Sequence, residues 1–168
     1  GATDTAWSSS VLAPNGKIYG IPYSATRVVE FDPVTETSVL IGDSYTGGAK
    51  WLGAALAPNG KIYCAPHNTG VQVLEIDPAT GTTALFGAAT TAVGAYLGAA
   101  LAPNGKIYCT PASSGNVLEI DPVARTATPI GAVSSAAYQW GGATLADNGK
   151  IYGMPFVANY VLEINPGP

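Results

Sequence analysis

The sequence predicts an all-β fold of antiparallel repeats, and three observations lead there. The phrase LAPNGKIY occurs at residues 12–19, 56–63 and 101–108, and a fourth copy, LADNGKIY, at 145–152. A second phrase keeps the same rhythm: VVEFDP from Val28, VLEIDP from Val73 and Val117, VLEINP from Val161. Proline and glycine, 13 and 21 of the 168 residues, recur so often that no segment holds a 3.6-residue apolar rhythm over three helical turns. Lys17, Lys61, Lys106 and Lys150 stand 44, 45 and 44 residues apart. Periods of roughly 40 to 50 residues mark helical solenoids or β-propellers, and the absent helix rhythm selects the propeller.

The second unit shows how each element is read. GAALAP is a strand of small side chains, suited to close packing. Pro58-Asn59-Gly60 makes a tight turn, because proline presets φ while asparagine and glycine tolerate left-handed positions. KIYCAP is the second strand. HNTG leads into VQVLEID, where Leu74 and Ile76 face one side and Val73 and Glu75 the other. Asp77-Pro78 opens the next turn, Gly81 closes it, and TTALFG is the fourth strand. Four short antiparallel strands joined by hairpins make one blade. Because a blade cannot bury both faces alone, its neighbours repeat the same packing solution, which is why one phrase is written four times.

The string GAALAPNGKIYCAP, then VQVLEIDPATG, then TTALFG resembles a blade of the NHL-type and YVTN-type β-propellers, and the resemblance extends over all four units. It implies the fold. The matching residues are structural in those families, so no catalytic residue carries over. Prolines at 14, 58 and 103, and after the Ile-Tyr strand at 22, 66, 111 and 155, depart from the pattern and imply stiff turns and limited edge pairing.

The repeats fall at approximately 1–44, 45–88, 89–133 and 134–168. Aligning Lys17 with Lys150 places Trp7, Trp51, Tyr96 and Trp140 in one column. The last unit ends after its third strand, so three full blades and one of three strands are expected. Propellers have about four to eight blades. Four blades closing alone would bend sharply, so half of an eight-bladed ring is the expected architecture, completed by a second copy as a homodimer.

Charged residues make up 11% of the chain and the net charge is −4. With two arginines and five lysines and no basic stripe, nucleic acid is excluded as a partner. No run approaches the ~18 apolar residues of a membrane helix. No signal peptide or other targeting segment is recognisable, so a soluble chain of unknown compartment is expected. Cys64 and Cys109 occupy one slot that Gly20 and Gly153 fill elsewhere. A small buried thiol explains this, since equivalent slots of neighbouring repeats usually lie beyond the ~7 Å that a disulfide allows.

Repetition also sorts the ionisable groups. Lys17, Lys61, Lys106 and Lys150, with Glu30, Glu75, Glu119 and Glu163, recur in every unit and suit cross-strand pairs. Asp32, Asp77, Asp121 and Asn165 precede proline and suit turn capping. The loops after the first and third strands are nearly constant. The loops after the second strands vary: PYSATR, PHNTGVQ, PASSGN, PFVANY. Variation on one face of a constant scaffold is how repeat proteins build a binding surface.

Candidate ligand-binding residues on that face are therefore Tyr23, Arg27, Lys50, His67, Phe156 and Tyr160, with Trp7, Trp51, Tyr96 and Trp140 starting the inner strands. Asp4, Asp43, Gln72, Asn116, Tyr138 and Gln139 join the same end. Aromatics mixed with single polar groups suit a carbohydrate or peptide, although the Trp/Tyr column also reads as packing between blades. Catalytic residues, metal ligands and cofactors are not expected: one histidine and scattered carboxylates lack the convergence a metal site needs, and no GxSxG, HExxH, P-loop or CxxC stands in the chain. The expected function is a non-catalytic repeat scaffold, natural, engineered or a fragment of a longer array, that self-assembles into a ring, with the variable loop face as the candidate surface for a carbohydrate, peptide or protein. One alternative is a lyase or hydrolase acting near the ring axis, since some propellers that resemble this one use a bound metal there. Another is a pure assembly scaffold without a ligand, which low charge and near-identical units fit equally.

Overall fold

A computed structural model describes residues 5–167, all of whose regular elements are strands. Blade 1 comprises β1 (Trp7–Leu12), β2 (Ile18–Pro22), β3 (Val28–Asp32) and β4 (Thr37–Ile41). Blade 2 comprises β5 (Trp51–Leu56), β6 (Ile62–Pro66), β7 (Val73–Asp77) and β8 (Thr82–Phe86). Blade 3 comprises β9 (Tyr96–Leu101), β10 (Ile107–Pro111), β11 (Asn116–Asp121) and β12 (Thr126–Ala132). Blade 4 comprises β13 (Trp140–Leu145), β14 (Ile151–Pro155) and β15 (Leu162–Ile164). Each blade is one meandering antiparallel sheet in chain order. The chain is a partial β-propeller whose last blade has three strands.

The repeated phrase is a hairpin locked by its own side chains. The amide of Lys61 donates to Asn59 Oδ1 at 3.1 Å, closing the turn, and Asn59 Nδ2 donates to the Tyr63 hydroxyl at 2.9 Å. Tyr63 in turn donates to Glu75 Oε2 at 3.1 Å, its direct partner in register on β7. Lys61 Nζ reaches Glu75 Oε1 at 3.1 Å. The same four-residue network recurs at Asn15, Lys17, Tyr19 and Glu30, at Asn104, Lys106, Tyr108 and Glu119, and at Asn148, Lys150, Tyr152 and Glu163. Every member of the network has a partner, which is what a buried polar group requires. The Asp before each proline accepts from the amide two residues on, as with Asp77 and Ala79 at 3.0 Å, and so caps the second turn.

Packing energy resides between blades. Tyr19, Ile21 and Val28 of blade 1 meet Trp51, Ile62, Cys64, Leu74 and Ile76 of blade 2. Tyr63, Ala65, Val73 and Phe86 of blade 2 meet Tyr96, Ile107, Cys109, Leu118 and Ile120 of blade 3. Tyr108 and Val117 of blade 3 meet Trp140, Ile151, Leu162 and Ile164 of blade 4. The period-2 alternation therefore sends Leu74 and Ile76 toward one neighbour and Val73 toward the other, as the pattern predicts. Both cysteines are free and buried, and burial pushes each thiol up.

The inner strands approach closely. A Cβ on Gly98 would lie 2.3 Å from the carbonyl carbon of Gly142 on the next blade, so only glycine fits there. This places β5, β9 and β13 side by side around an axis, with the outer strands radiating away.

Candidate functional site

The loops after the second and fourth strands lie at one end, as the up-and-down order of each blade dictates. A relay of backbone hydrogen bonds runs around this end. Tyr23 N–H donates to Ala6 C=O, Lys50 to Tyr23, His67 to Lys50, Ala95 to His67, Ala112 to Ala95, Gln139 to Ala112 and Phe156 to Gln139, all at 2.7–3.0 Å. The relay alternates between the residue that enters an inner strand and the residue that leaves the second strand. It fixes each loop against the next blade.

Lys50 and His67 belong to this framework. Lys50 Nζ donates to the carbonyls of Tyr23 (3.1 Å), Ala25 (2.8 Å) and Gly47 (2.7 Å). Burial lowers its pKa from the ordinary lysine value, and Nζ stands 5.9 Å from the Trp51 ring centroid. His67 Nδ1 lies 3.0 Å from the Tyr96 carbonyl oxygen, and its ring stands 6.0 Å from that of Tyr23. Both residues are buried; the Lys50 ammonium is fully engaged by carbonyls, and His67 is held through Nδ1 alone.

The aromatic column has a repeated structural duty. The indole Nε1 of Trp7 donates to Arg27 C=O at 3.1 Å, that of Trp51 to Gln72 C=O at 2.8 Å, and that of Trp140 to Tyr160 C=O at 3.0 Å. Each tryptophan thereby ties the start of an inner strand to the end of the loop that leads into the third strand. Trp51, Tyr96 and Trp140 are buried between blades, whereas Trp7 is 39% exposed. Asn116 and Gln72 are likewise turned inward, to Gly131 C=O at 2.9 Å and Gly87 C=O at 2.6 Å.

The remaining residues stand at the surface. Arg27 is exposed and Tyr23 half-buried. Phe156 is 73% exposed, and Tyr138, Val157 and Tyr160 join it, with Tyr138 and Phe156 ring centroids 6.4 Å apart. All four lie on the blade 4 loops and are apolar or aromatic, the Tyr160 ring packing on Trp140 at 5.4 Å. Asp4 lies outside the described residues.

A second feature was not legible in sequence. A cavity of about 230 Å³ opens between blades 2 and 3, lined by Pro66, Thr90, Tyr96, Ser114, Asn116 and Pro129 among others. It lies below the ~300 Å³ typical of a small-molecule site. The loop AATTA at 88–92, which walls it, carries no chemical signature that would have marked it. Among the described residues, no three of His, Cys, Asp or Glu come together as a metal site, and no helix is long and apolar enough to cross a membrane.

No protein-family model and no curated protein matches the sequence. The fold is nevertheless shared with solved structures. A streptogramin B lyase superposes with a TM-score of 0.76 at 12% identity, over 99% of this chain and 57% of that one. Virginiamycin B lyase from Staphylococcus aureus gives 0.72 at 13% identity, over 95% and 55%. A 6-phosphogluconolactonase homologue from Bacteroides uniformis gives 0.68 at 17% identity, over 96% and 50%. The chain spans about half the length of these structures. At such identities the likeness establishes the propeller fold alone.

Proposed function

We propose that this chain is a non-catalytic propeller scaffold of NHL/YVTN-like blades, which associates with itself into a ring and holds out its variable loops to bind carbohydrate or peptide. One contrast supports the reading. The ionisable side chains that converge, those of the four Asn-Tyr-Glu-Lys networks together with Lys50, are engaged by partners within the fold, and His67 is held through Nδ1. The loop-end surface of the single chain pairs exposed Arg27 with the aromatic and apolar Tyr138, Phe156, Val157 and Tyr160, Phe156 standing at the edge of the open blade 4 face. Flat aromatic faces beside backbone carbonyls suit sugar rings and aromatic peptide side chains. A metal-dependent lyase or hydrolase would instead need a convergent donor set.

The reading is tested by screening the chain against glycan and peptide arrays, then repeating any positive with Phe156→Ala and Tyr160→Ala. Binding that falls at least about tenfold, which is 1.4 kcal/mol, supports the aromatic patch as the ligand surface. A ligand held at full affinity by both variants would remove it. Turnover of a ligand, or one metal ion per chain surviving dialysis, would overturn the non-catalytic assignment.

A further inference from the structure

We infer that the outer faces of blades 1 and 4 are the two halves of one interface, and that the occupant of each is the complementary face of a second copy of this chain. The inference rests on the self-assembly reading above and specifies its surface, register and partner.

The three internal interfaces use one set of columns. The face toward the next blade supplies the tyrosine of the repeated hairpin, the residue two places on, and the valine that opens the third strand: Tyr19, Ile21 and Val28 in blade 1. The receiving face supplies the inner-strand aromatic, the isoleucine before that tyrosine, and the alternate residues of the third strand: Trp51, Ile62, Leu74 and Ile76 in blade 2. Blade 4 carries the donor set as Tyr152, Met154 and Val161. Blade 1 carries the receiving set as Trp7, Ile18, Val29 and Phe31. Neither is covered. Met154 is 54% exposed, where Ile21, Ala65 and Thr110 in its column are each 0%. Val161 is 47% exposed, where Val28, Val73 and Val117 are buried. Ile18, Val29 and Phe31 are half-buried, and Trp7 is exposed where its column mates are not. Each open face thus lacks what the other presents.

Polar groups follow the same register. The backbone relay begins at Ala6 and ends at Phe156. Ala6 N–H and Phe156 C=O make no hydrogen bond among the described residues, and they are the donor and acceptor the next step would join. Asn15 Nδ2 reaches across to Pro78 C=O at 3.2 Å, and Asn104 Nδ2 to Pro166 C=O at 3.0 Å. Asn148, the equivalent residue of blade 4, would reach Pro33 C=O of the second copy. Head-to-tail contact at both seams closes a two-fold ring of eight blades, whereas three copies would exceed the ~8 blades that propellers reach. Ile41, Phe86 and Ile130 of the fourth strands add to the internal interfaces, a contact for which blade 4 offers no counterpart among the described residues.

One position gives the seam a signature. Arg125 of blade 3 pairs with Glu75 of blade 2, and its column mate in blade 1 is Glu36. Across the seam Glu36 would face Glu163 of the second copy, a like-charge contact that Glu36→Arg converts to a pair.

Sedimentation of the intact chain over a concentration series, with Met154→Arg and Glu36→Arg, tests the inference. Both residues are exposed in the single chain, so neither change endangers folding. The expected results are a dimer for the native chain, a dissociation constant raised on the order of a hundredfold or more by Met154→Arg, as for an unpaired charge buried in an interface, and one lowered roughly threefold or more by Glu36→Arg. Glu36→Arg on a Glu163→Gln background loses that gain. A native chain that stays monomeric overturns the self-assembly reading and the seam together. A dimer indifferent to both substitutions overturns the seam alone and leaves self-association standing.

Discussion

Arg125 of blade 3 reaches back to Glu75 of blade 2, Nε to Oε2 at 3.3 Å, while its guanidinium lies 5.4 Å from the Phe86 ring. Glu75 is thereby shared between its own hairpin network and the next blade. The arginine is half-exposed, so solvent screens the pair, which contributes about 0–1 kcal/mol, with a similar amount from the ring contact. Arg125→Ala is expected to destabilise the chain by about 1 kcal/mol in chemical denaturation.

The tyrosine at the centre of each network should matter according to its burial. Tyr63 and Glu75 are buried, whereas Glu163, the partner of Tyr152, is exposed. Tyr63→Phe removes the donor to Glu75 and the acceptor for Asn59, at a cost of about 1–3 kcal/mol. Tyr152→Phe is expected to cost less, because water replaces the lost bonds. Equal costs, from matched urea titrations, would contradict the structure.

Lys50 separates a structural role from a ligand role. Its Nζ satisfies three carbonyls, so Lys50→Met leaves those acceptors short and is expected to lower stability by about 1–3 kcal/mol. A residue held for ligand contact would show the reverse: unchanged melting and lost binding.

The networks also set a pH range. Burial alone would raise the Glu30 carboxyl, but the hydrogen bonds from Lys17 and Tyr19 outweigh it and hold it below the usual value. Lys150 holds Glu163 down likewise, and the Val34 and Thr35 amides lower Asp32. These depressed groups contribute stability above their unfolded values, about 4, which is lost as pH falls through the folded ones. Lys17 and Lys150 are raised by their glutamates, and burial pushes Tyr19 up to about 12. Their stabilisation is fully present below about pH 10 and lost as pH rises through the folded values. Burial raises the Cys64 and Cys109 thiols as well, and their stabilisation begins to be lost once pH passes the unfolded thiol value, about 8.5, so a plateau from about pH 5 to about pH 8 is expected. A melting temperature that still climbs between pH 3 and pH 2 would contradict it.

The blade was legible because its chemistry is local. A turn needs Asn-Gly, a strand needs period-2 alternation, and a lysine and a glutamate facing each other across adjacent strands pair; each of these is written within 20 residues. The constant residues read as scaffold are the networks seen. The loop face was legible as a face, because Tyr23, His67 and Phe156 share one relay. Which of its residues are free was not. Lys50 and His67 look like lone functional groups in sequence, and they turn inward onto carbonyls of Tyr23, Gly47 and Tyr96, none of which has a side-chain signature. The cavity walled by 88–92 escaped for the same reason: small, uncharged residues outline a volume without announcing chemistry.

The most direct measurement is the solution mass of the native chain by light scattering across a concentration series. The expected result is a stable species of about twice 17.0 kDa, the two copies closing one ring. A mass of 17.0 kDa at every concentration would contradict it, and would leave the exposed Met154 and Trp7 without the partner their columns call for.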